Sequence, residues 1–353
     1  MKVTYSFIVV LGALAFLSCK TEVKEEKDLS NYIQTVNGPI SVDSMGVTLI
    51  HEHVFLDWSP EADYDPMKWN NEEAFHFILP YLKEMKAAGV KTFLECTPAY
   101  LGRNPKLLKR LSDETGLNIL TNTGFYAARD YQHIPEFAYK ISPEGLAQVW
   151  IKEFENGIEE TGIKPGFIKI GLNYNKDSLA SIEEKIVRAA AITHANTGLT
   201  IVAHSGKEHI ANFCLEILQE QGVKPEAFVW THAQNDSNEA HVNIARKGAW
   251  VSLDGMGSIK VDTASGDTLQ LNRYVDYLVN LKSQNLLHRV LISHDSGWYT
   301  VGDENESMGR LFTPVFQYVI PELKRRGFTD QDIEQLLIIN PQIAFAIGPD
   351  LND

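Results

Sequence analysis

Two histidines stand two residues apart at the end of an apolar run, in VTLIHEHVFLDW from Val47 to Trp58. In an extended strand residues i and i+2 share a face, so His51 and His53 point the same way and Glu52 turns to the other side. Neutral imidazoles aimed together are ligands for a divalent cation. The spacing differs from the helical H-E-x-x-H zinc site, whose histidines lie four apart. HEH is therefore either a chance pair at a strand end or one half of a metal site completed elsewhere in the chain.

Similar residues recur at the ends of later apolar runs. His204 closes TIVAHSG, His232 lies in FVWTHAQN, and Asp295 lies in VLISHDSG. Lys169 sits inside GFIKIG, flanked by Phe167, Ile168 and Ile170, where an unpaired ammonium is very costly. A neutral amine in such a place can react with carbon dioxide to give a carbamate, whose two oxygens suit bridging two cations. The alternatives are an ion pair with Glu95 or Asp295, or a side chain that reaches out to water.

The elements that must position these residues are legible as a repeat. Short apolar runs at Val47–His51, Thr92–Glu95, Asn118–Thr123, Phe167–Ile170, Thr200–His204, Phe228–His232, Trp250–Asp254 and Val290–Asp295 read as strands. Helical stretches lie between them, among them residues 71–89, 142–162 and 178–198, and two more close the chain at 313–327 and 329–347. Several end at glycine, as helix C-termini do. Eight such units in residues 37–353 predict an α/β fold, a single (β/α)8 TIM barrel, at whose C-terminal strand ends these polar residues converge. An open doubly wound sheet is the alternative, but no G-x-G-x-x-G follows the first strand. Residues 57–71 and 295–310 read as long loops at the same end.

The chain of 353 residues carries a formal charge of −14 and no basic block, which excludes nucleic acid as a partner. Residues 1–18 read as a lipoprotein-type signal peptide, with an apolar run from Phe7 to Leu17 too short to span a bilayer comfortably. Cys19 would then be the lipidated first residue, and residues 19–36 a charged, flexible tether. An ordinary signal peptide cut nearby is the alternative. On the lipoprotein reading the protein is exported and lipid-anchored to a bacterial membrane, on its periplasmic side or at the cell surface. No disulfide is expected between Cys96 and Cys214, which fall in a strand and a helix.

The ordered set HEH, strand-four lysine, HSG, TH and strand-eight Asp resembles the phosphotriesterase family of the amidohydrolase superfamily. LECTPAYLGRNPKLLKRLSDETGLNILTNTGFY is similar to that family's second and third units, and INPQIAFAI to its closing helix. The resemblance implies that His51, His53 and Asp295 ligate a more buried metal and that His204 and His232 ligate a more exposed one. It further implies that Lys169, as N6-carboxylysine, and a hydroxide bridge the two. The ligand types suit zinc, and also manganese or cobalt. Asp295 is then the candidate to take the proton, no Ser or Cys nucleophile is needed, and the reaction is hydrolysis of a small-molecule ester. The membrane is a partner only through the lipid, and a homodimer stays open.

Further residues have two readings each. Tyr126, in a GFY context shared with lactone-hydrolysing relatives, either approaches substrate or packs a loop. Arg103 matches a family motif and can instead tie its loop to neighbours. Trp298 and Tyr299 either wall the substrate pocket or pack on the barrel, and Arg310 is a candidate for an anionic substrate. Glu95 is placed to orient a ligand histidine. His76, His194, His241 and His294 are discounted as ligands, and His209 falls near the pocket rim. Cleavage of a lactone or other carboxylic ester leads; a phosphotriester or phosphodiester is the alternative. A non-catalytic surface binding protein would have lost ligands, and none is missing.

Overall fold

The computed structural model describes residues 1, 31–260, 268–302 and 311–348. The signal peptide, Cys19 and Arg310 lie outside them.

Eight parallel barrel strands are present, with hydrogen bonding interrupted at two seams. The strands are β3 (Thr48–Leu56), β4 (Thr92–Glu95), β5 (Asn118–Leu120) with β6 (Asn122–Thr123), β7 (Phe167–Gly171), β8 (Ile201–His204), β9 (Phe228–Thr231), β10 (Trp250–Leu253) and β11 (Val290–Ile292). Each pairs in parallel with its neighbour. The third strand is predicted unbroken but splits at Thr121, giving one seam. The other lies between the first and eighth strands. The main chain bridges it from Asp295 N to His51 O at 2.9 Å and from His53 N to Ser296 O at 2.7 Å. There the eighth strand stops at Ile292 rather than Asp295, and chain expected to be loop resumes as β12 (Gly297–Thr300) against β3.

Helices cover the outside: α1 (Asn71–Ala87), α2 (Pro105–Thr115), α3 (Glu136–Lys140), α4 (Pro143–Asn156), α5 (Ser181–Thr197), α6 (Glu208–Glu220), α7 (Asn238–Arg246) and α8 (Leu269–Ser283). Asn104 and Ser142 cap α2 and α4, each followed by proline at the first helical position, where its missing N–H costs nothing. The helix expected over 142–162 ends at Asn156. Gly157 takes φ +95°, and the chain folds back so tightly that a Cβ there would meet Gly162 backbone at 2.6 Å. The last helices, α9 (Ile320–Arg325), α10 (Asp330–Glu334) and α11 (Asn340–Phe345), include two π-helical stretches, at Val315–Val319 and Gln335–Ile339. Pro321 and Pro341 follow them, each unable to donate the bond a regular turn requires. Among the described residues no helix is long and apolar enough to cross a membrane.

The tether expected to reach residue 36 is corrected by a hairpin, β1 (Tyr32–Thr35) and β2 (Gly38–Ser41). Tyr32 exchanges two backbone bonds with Ile347, so the first and last described segments meet at the barrel floor. There Ile33 joins one buried apolar cluster with Ile50, Leu94, Leu120, Phe167, Val202, Val229, Trp250 and Leu291, one residue from each barrel strand. Each such side chain stabilises by about 1.5–3 kcal/mol. Asn340 locks the closing helix beneath, donating from Nδ2 to the carbonyls of Leu287 at 2.8 Å and Val290 at 2.6 Å.

Parity carries this apolar layer upward into a polar one. Phe167 is followed two residues on by Lys169, Val202 by His204, and Leu291 by Ser293. The first strand departs from the rule. Its register slips between Leu49 and Glu52, so adjacent Ile50 and His51 both serve the interior. The third strand must approach the fourth closely: a Cβ at Gly124 (φ +120°) would lie 2.0 Å from the Lys169 carbonyl oxygen. Gly124→Ala is expected to destabilise the fold by about 2–4 kcal/mol, read by thermal and denaturant unfolding.

Candidate metal centre

Four imidazoles form an arc across the barrel mouth. Ring centroids are 5.3 Å apart from His53 to His51, 4.9 Å from His51 to His232, and 4.4 Å from His232 to His204. Lys169 Nζ lies 3.3 Å from His51 Nε2, and Asp295 Oδ1 lies 3.2 Å from His53 Nε2 and 3.9 Å from His51 Nε2. The structure thus brings all six expected ligands together.

Carboxylates behind the arc orient it. Asp254 Oδ2 accepts from His51 Nδ1 at 3.0 Å, and its Oδ1 from His232 Nδ1 at 2.9 Å. Burial opposes the charge on Asp254, but the two histidines hold its carboxyl well below the usual range. A proton therefore occupies each Nδ1, and each Nε2 turns a lone pair to the mouth. Asp254 with His51 and His232 is accordingly a hydrogen-bonded knot rather than a second cation site. On the other flank Thr97 Oγ1 donates to Glu95 Oε1 at 2.5 Å, so it accepts from His53 Nδ1 at 2.9 Å. Glu95 reaches the site only through Thr97, and burial lifts its carboxyl to about 6.

Burial, reinforced by the Lys169 charge, drives the His51 pKa down to about 3. His204 lies well below its ordinary value from burial and from neighbouring His232. His232 is also desolvated, yet Asp254 outweighs that and raises it. Burial works against the Asp295 anion too, but the neighbouring imidazoles of His53, His51 and His232 bring it down to about 2.

This donor set fits divalent cations. With its proton fixed on Nδ1, His53 turns the Nε2 lone pair toward Asp295 Oδ1, an arrangement that a cation between them satisfies. Lys169 is 1% exposed, and its Nζ lies among the imidazoles, 3.3 Å from His51 Nε2.

Two of these residues, with Trp298 beside them, hold costly backbone conformations. His232, Asp295 and Trp298 have φ of +58°, +53° and +75°, each costing about 1–2 kcal/mol for a non-glycine residue. Glu52 offsets part of this at the eighth strand. Its buried carboxylate accepts from Ser293 Oγ, from His294 Nδ1 and N, and from Ser296 N, all at 2.8–3.0 Å, and so clasps the break around Asp295.

A cavity of about 760 Å³ opens over the arc, within the range of small-molecule sites. Tyr126 lines it with its hydroxyl 3.4 Å from His204 Nε2, in space left by Gly171, where a Cβ would lie 2.2 Å from the ring. Trp298 also lines it, edge-on to His53. Tyr299 does not; it stacks on Phe55 and donates to Glu73 of α1. Arg103 is likewise remote, bound to Glu153, Glu159 and the Asn122 carbonyl. His294 is turned to Glu52 and Val315 N, His194 to Leu199 O, His241 to Ala233 O, His209 to Lys176 O, and His76 is exposed near Glu72. Asp254, Thr97 and Trp58 were not singled out from sequence. Asp254 does carry the signal used for the others, a carboxylate closing a strand.

A TIM barrel carrying this constellation defines a metal-dependent hydrolase. The sequence profile of the Phosphotriesterase family matches residues 31–345, and the chain belongs to that family. The aryldialkylphosphatase of Saccharolobus solfataricus is 30% identical over 327 residues, spanning 88% of this chain and 98% of its own. The N-acetyltaurine hydrolase of Homo sapiens is 26% identical over 351 residues, spanning 89% and 97%. A solved mutant of the PTE-like lactonase of Deinococcus radiodurans superposes with a TM-score of 0.76 at 27% identity, over 89% of this chain and 99% of that one.

Asp254→Asn can offer only one acceptor to two imidazoles. Its metal affinity is expected to fall about 10–100-fold while the fold is kept, measured by competition with a chromogenic chelator.

Proposed function

We propose that the protein hydrolyses a carboxylic ester, a lactone foremost, at two divalent cations held by His51, His53, Asp295, His204, His232 and carboxylated Lys169. The observation that carries this is the Tyr126 hydroxyl, 3.4 Å from His204 Nε2 and facing the same cavity as Trp298. That hydroxyl and the indole would flank an acyl group held in the cavity. The cations, zinc by donor type with manganese or cobalt as alternatives, would activate water at neutral pH and polarise the acyl oxygen.

The chain's own residues do the rest. The Asp295 carboxylate, held in its basic form, takes the proton released by water. Burial pushes the Tyr126 phenol up, so it stays an O–H donor toward the acyl or leaving oxygen. Lys169 Nζ bonds to the carbon of carbon dioxide and releases a proton, leaving a carbamate anion beside His51. Lys169→Ala is expected to lose metal and to recover it with short carboxylic acids.

The relatives' names favour a second reading, since one is an aryldialkylphosphatase. A panel of lactones, linear esters and phosphotriesters followed by proton release separates the two. Lactone turnover that falls at least 100-fold in Asp295→Asn supports the proposal, and turnover of phosphotriesters alone overturns it. Residues 1–18 and Cys19 are proposed to export and anchor the protein; Cys19→Ala is expected to abolish radiolabelled palmitate incorporation and release the protein from membranes.

A further inference from the structure

The cavity has a second pole that the hydrolysis above does not use. The chain carries a formal charge of −14, yet Arg129, Lys176 and Arg273 all line this one cavity, with Asp130 the acidic side chain among them at the rim. Arg273 is already engaged, donating to the Tyr277 hydroxyl and the Gln234 carbonyl. Arg129 is held differently. Its guanidinium lies over the face of Trp58, 3.9 Å from the ring centre, which leaves its N–H edge for a ligand. Trp58 meets Trp298 edge-on at 6.3 Å, and Trp298 meets His53 edge-on at 6.0 Å. A continuous indole wall therefore runs from the metal centre to this arginine.

The backbone that presents Arg129 is strained. Arg129, Asp130 and Tyr131 take φ of +59°, +56° and +67° in succession, none of them glycine. Such a run persists only where its surroundings over-determine it. Here they do. Asn173, just past the fourth strand, accepts from Asp130 N at 3.3 Å and donates to the Ala127 carbonyl at 3.0 Å. The buried Glu183 carboxylate in turn accepts from Asn173 N at 2.6 Å and from its Nδ2 at 3.2 Å. Tyr131 N closes the turn on Ala127 O. A loop fixed this way to the barrel holds one cation at a set place over an indole.

We infer that Arg129 is a specificity-determining residue for an acyl substrate with an anionic far end: carboxylate, sulfonate or phosphate. The scissile acyl group lies at the histidine arc, the carbon chain along Trp298 and Trp58, and the oxyanion against the guanidinium. Lys176, on the loop anchored by His209, adds charge from the fourth-strand side. The assignment rests on the ester-hydrolase reading for the reacting end but not for the anion pole.

The test compares the metal-loaded protein on two esters of matched length, the mono-4-nitrophenyl ester of glutaric acid and 4-nitrophenyl valerate. Arg129→Met is expected to lower the anionic-to-neutral ratio of kcat/KM by about 30-fold, mainly through KM, with Arg129→Lys intermediate. Asn173→Leu, which keeps the charge but frees the loop, is expected to lower the same ratio. Sulfonate- and phosphate-ended esters then identify the preferred anion. A ratio unchanged in Arg129→Met, or an equal fall on both esters, overturns the inference. Glutarate binding by calorimetry reads the pole without turnover: about tenfold weaker binding in Arg129→Met supports it, and equal binding overturns it. If neither ester is cleaved while glutarate binding depends on Arg129, the anion pole stands and the ester reading is decided by the lactone panel.

Discussion

Asp254 takes a hydrogen bond from His51 and another from His232, and the site depends on that shared acceptor. Each bond decides which nitrogen of its ring keeps a proton and which presents a lone pair. The carboxylate is fully buried, and Ser252 and Gln234 occupy more of its lone-pair positions. A buried anion is tolerated only with such a full set of donors. The imidazoles and Asp254 thus stabilise one another in one orientation. Thr97 and Glu95 do for His53 what Asp254 does for the other two.

The same logic explains why so much polarity is buried at one end of the barrel. The floor is closed by apolar residues from all eight strands and the hairpin, and carries no chemistry. Glu52, Glu95, Lys169, Asp254 and His294 occupy the upper half, all at most 1% exposed. Burial there costs stability that the floor and the helix-facing core supply. The left-handed conformations at His232 and Asp295 belong to the same trade: strain placed where direction matters, held by clasps such as Glu52.

Strand periodicity made the barrel legible, and parity from floor to mouth marks Lys169 and His204. His51, His53, His232 and Asp295 were legible as polar residues at or just beyond strand ends. What escaped was whatever periodicity does not encode. The slip between Leu49 and Glu52 changes facing without changing composition. The early end of α4 depends on a close approach between Gly157 and Gly162, a local reversal of the chain that helical periodicity does not mark. The hairpin at residues 32–41 was missed because it pairs with Ile347, more than 300 residues away. Tyr299 and Trp298 are neighbours on a strand, so only one of them can face the cavity, but without β12 in view neither could be chosen. Asp254 was readable in principle, yet its partners make sense of it only once the barrel is closed.

The pairing of Tyr32 with Ile347 also has a geometric consequence. The chain enters the barrel at its floor, opposite the histidine arc, and its last helix leaves from that same end. Anything that holds the protein through the segment before Tyr32 holds it by the base. The mouth lies at the opposite end, so a pull on that segment loads the apolar floor and not the histidine arc.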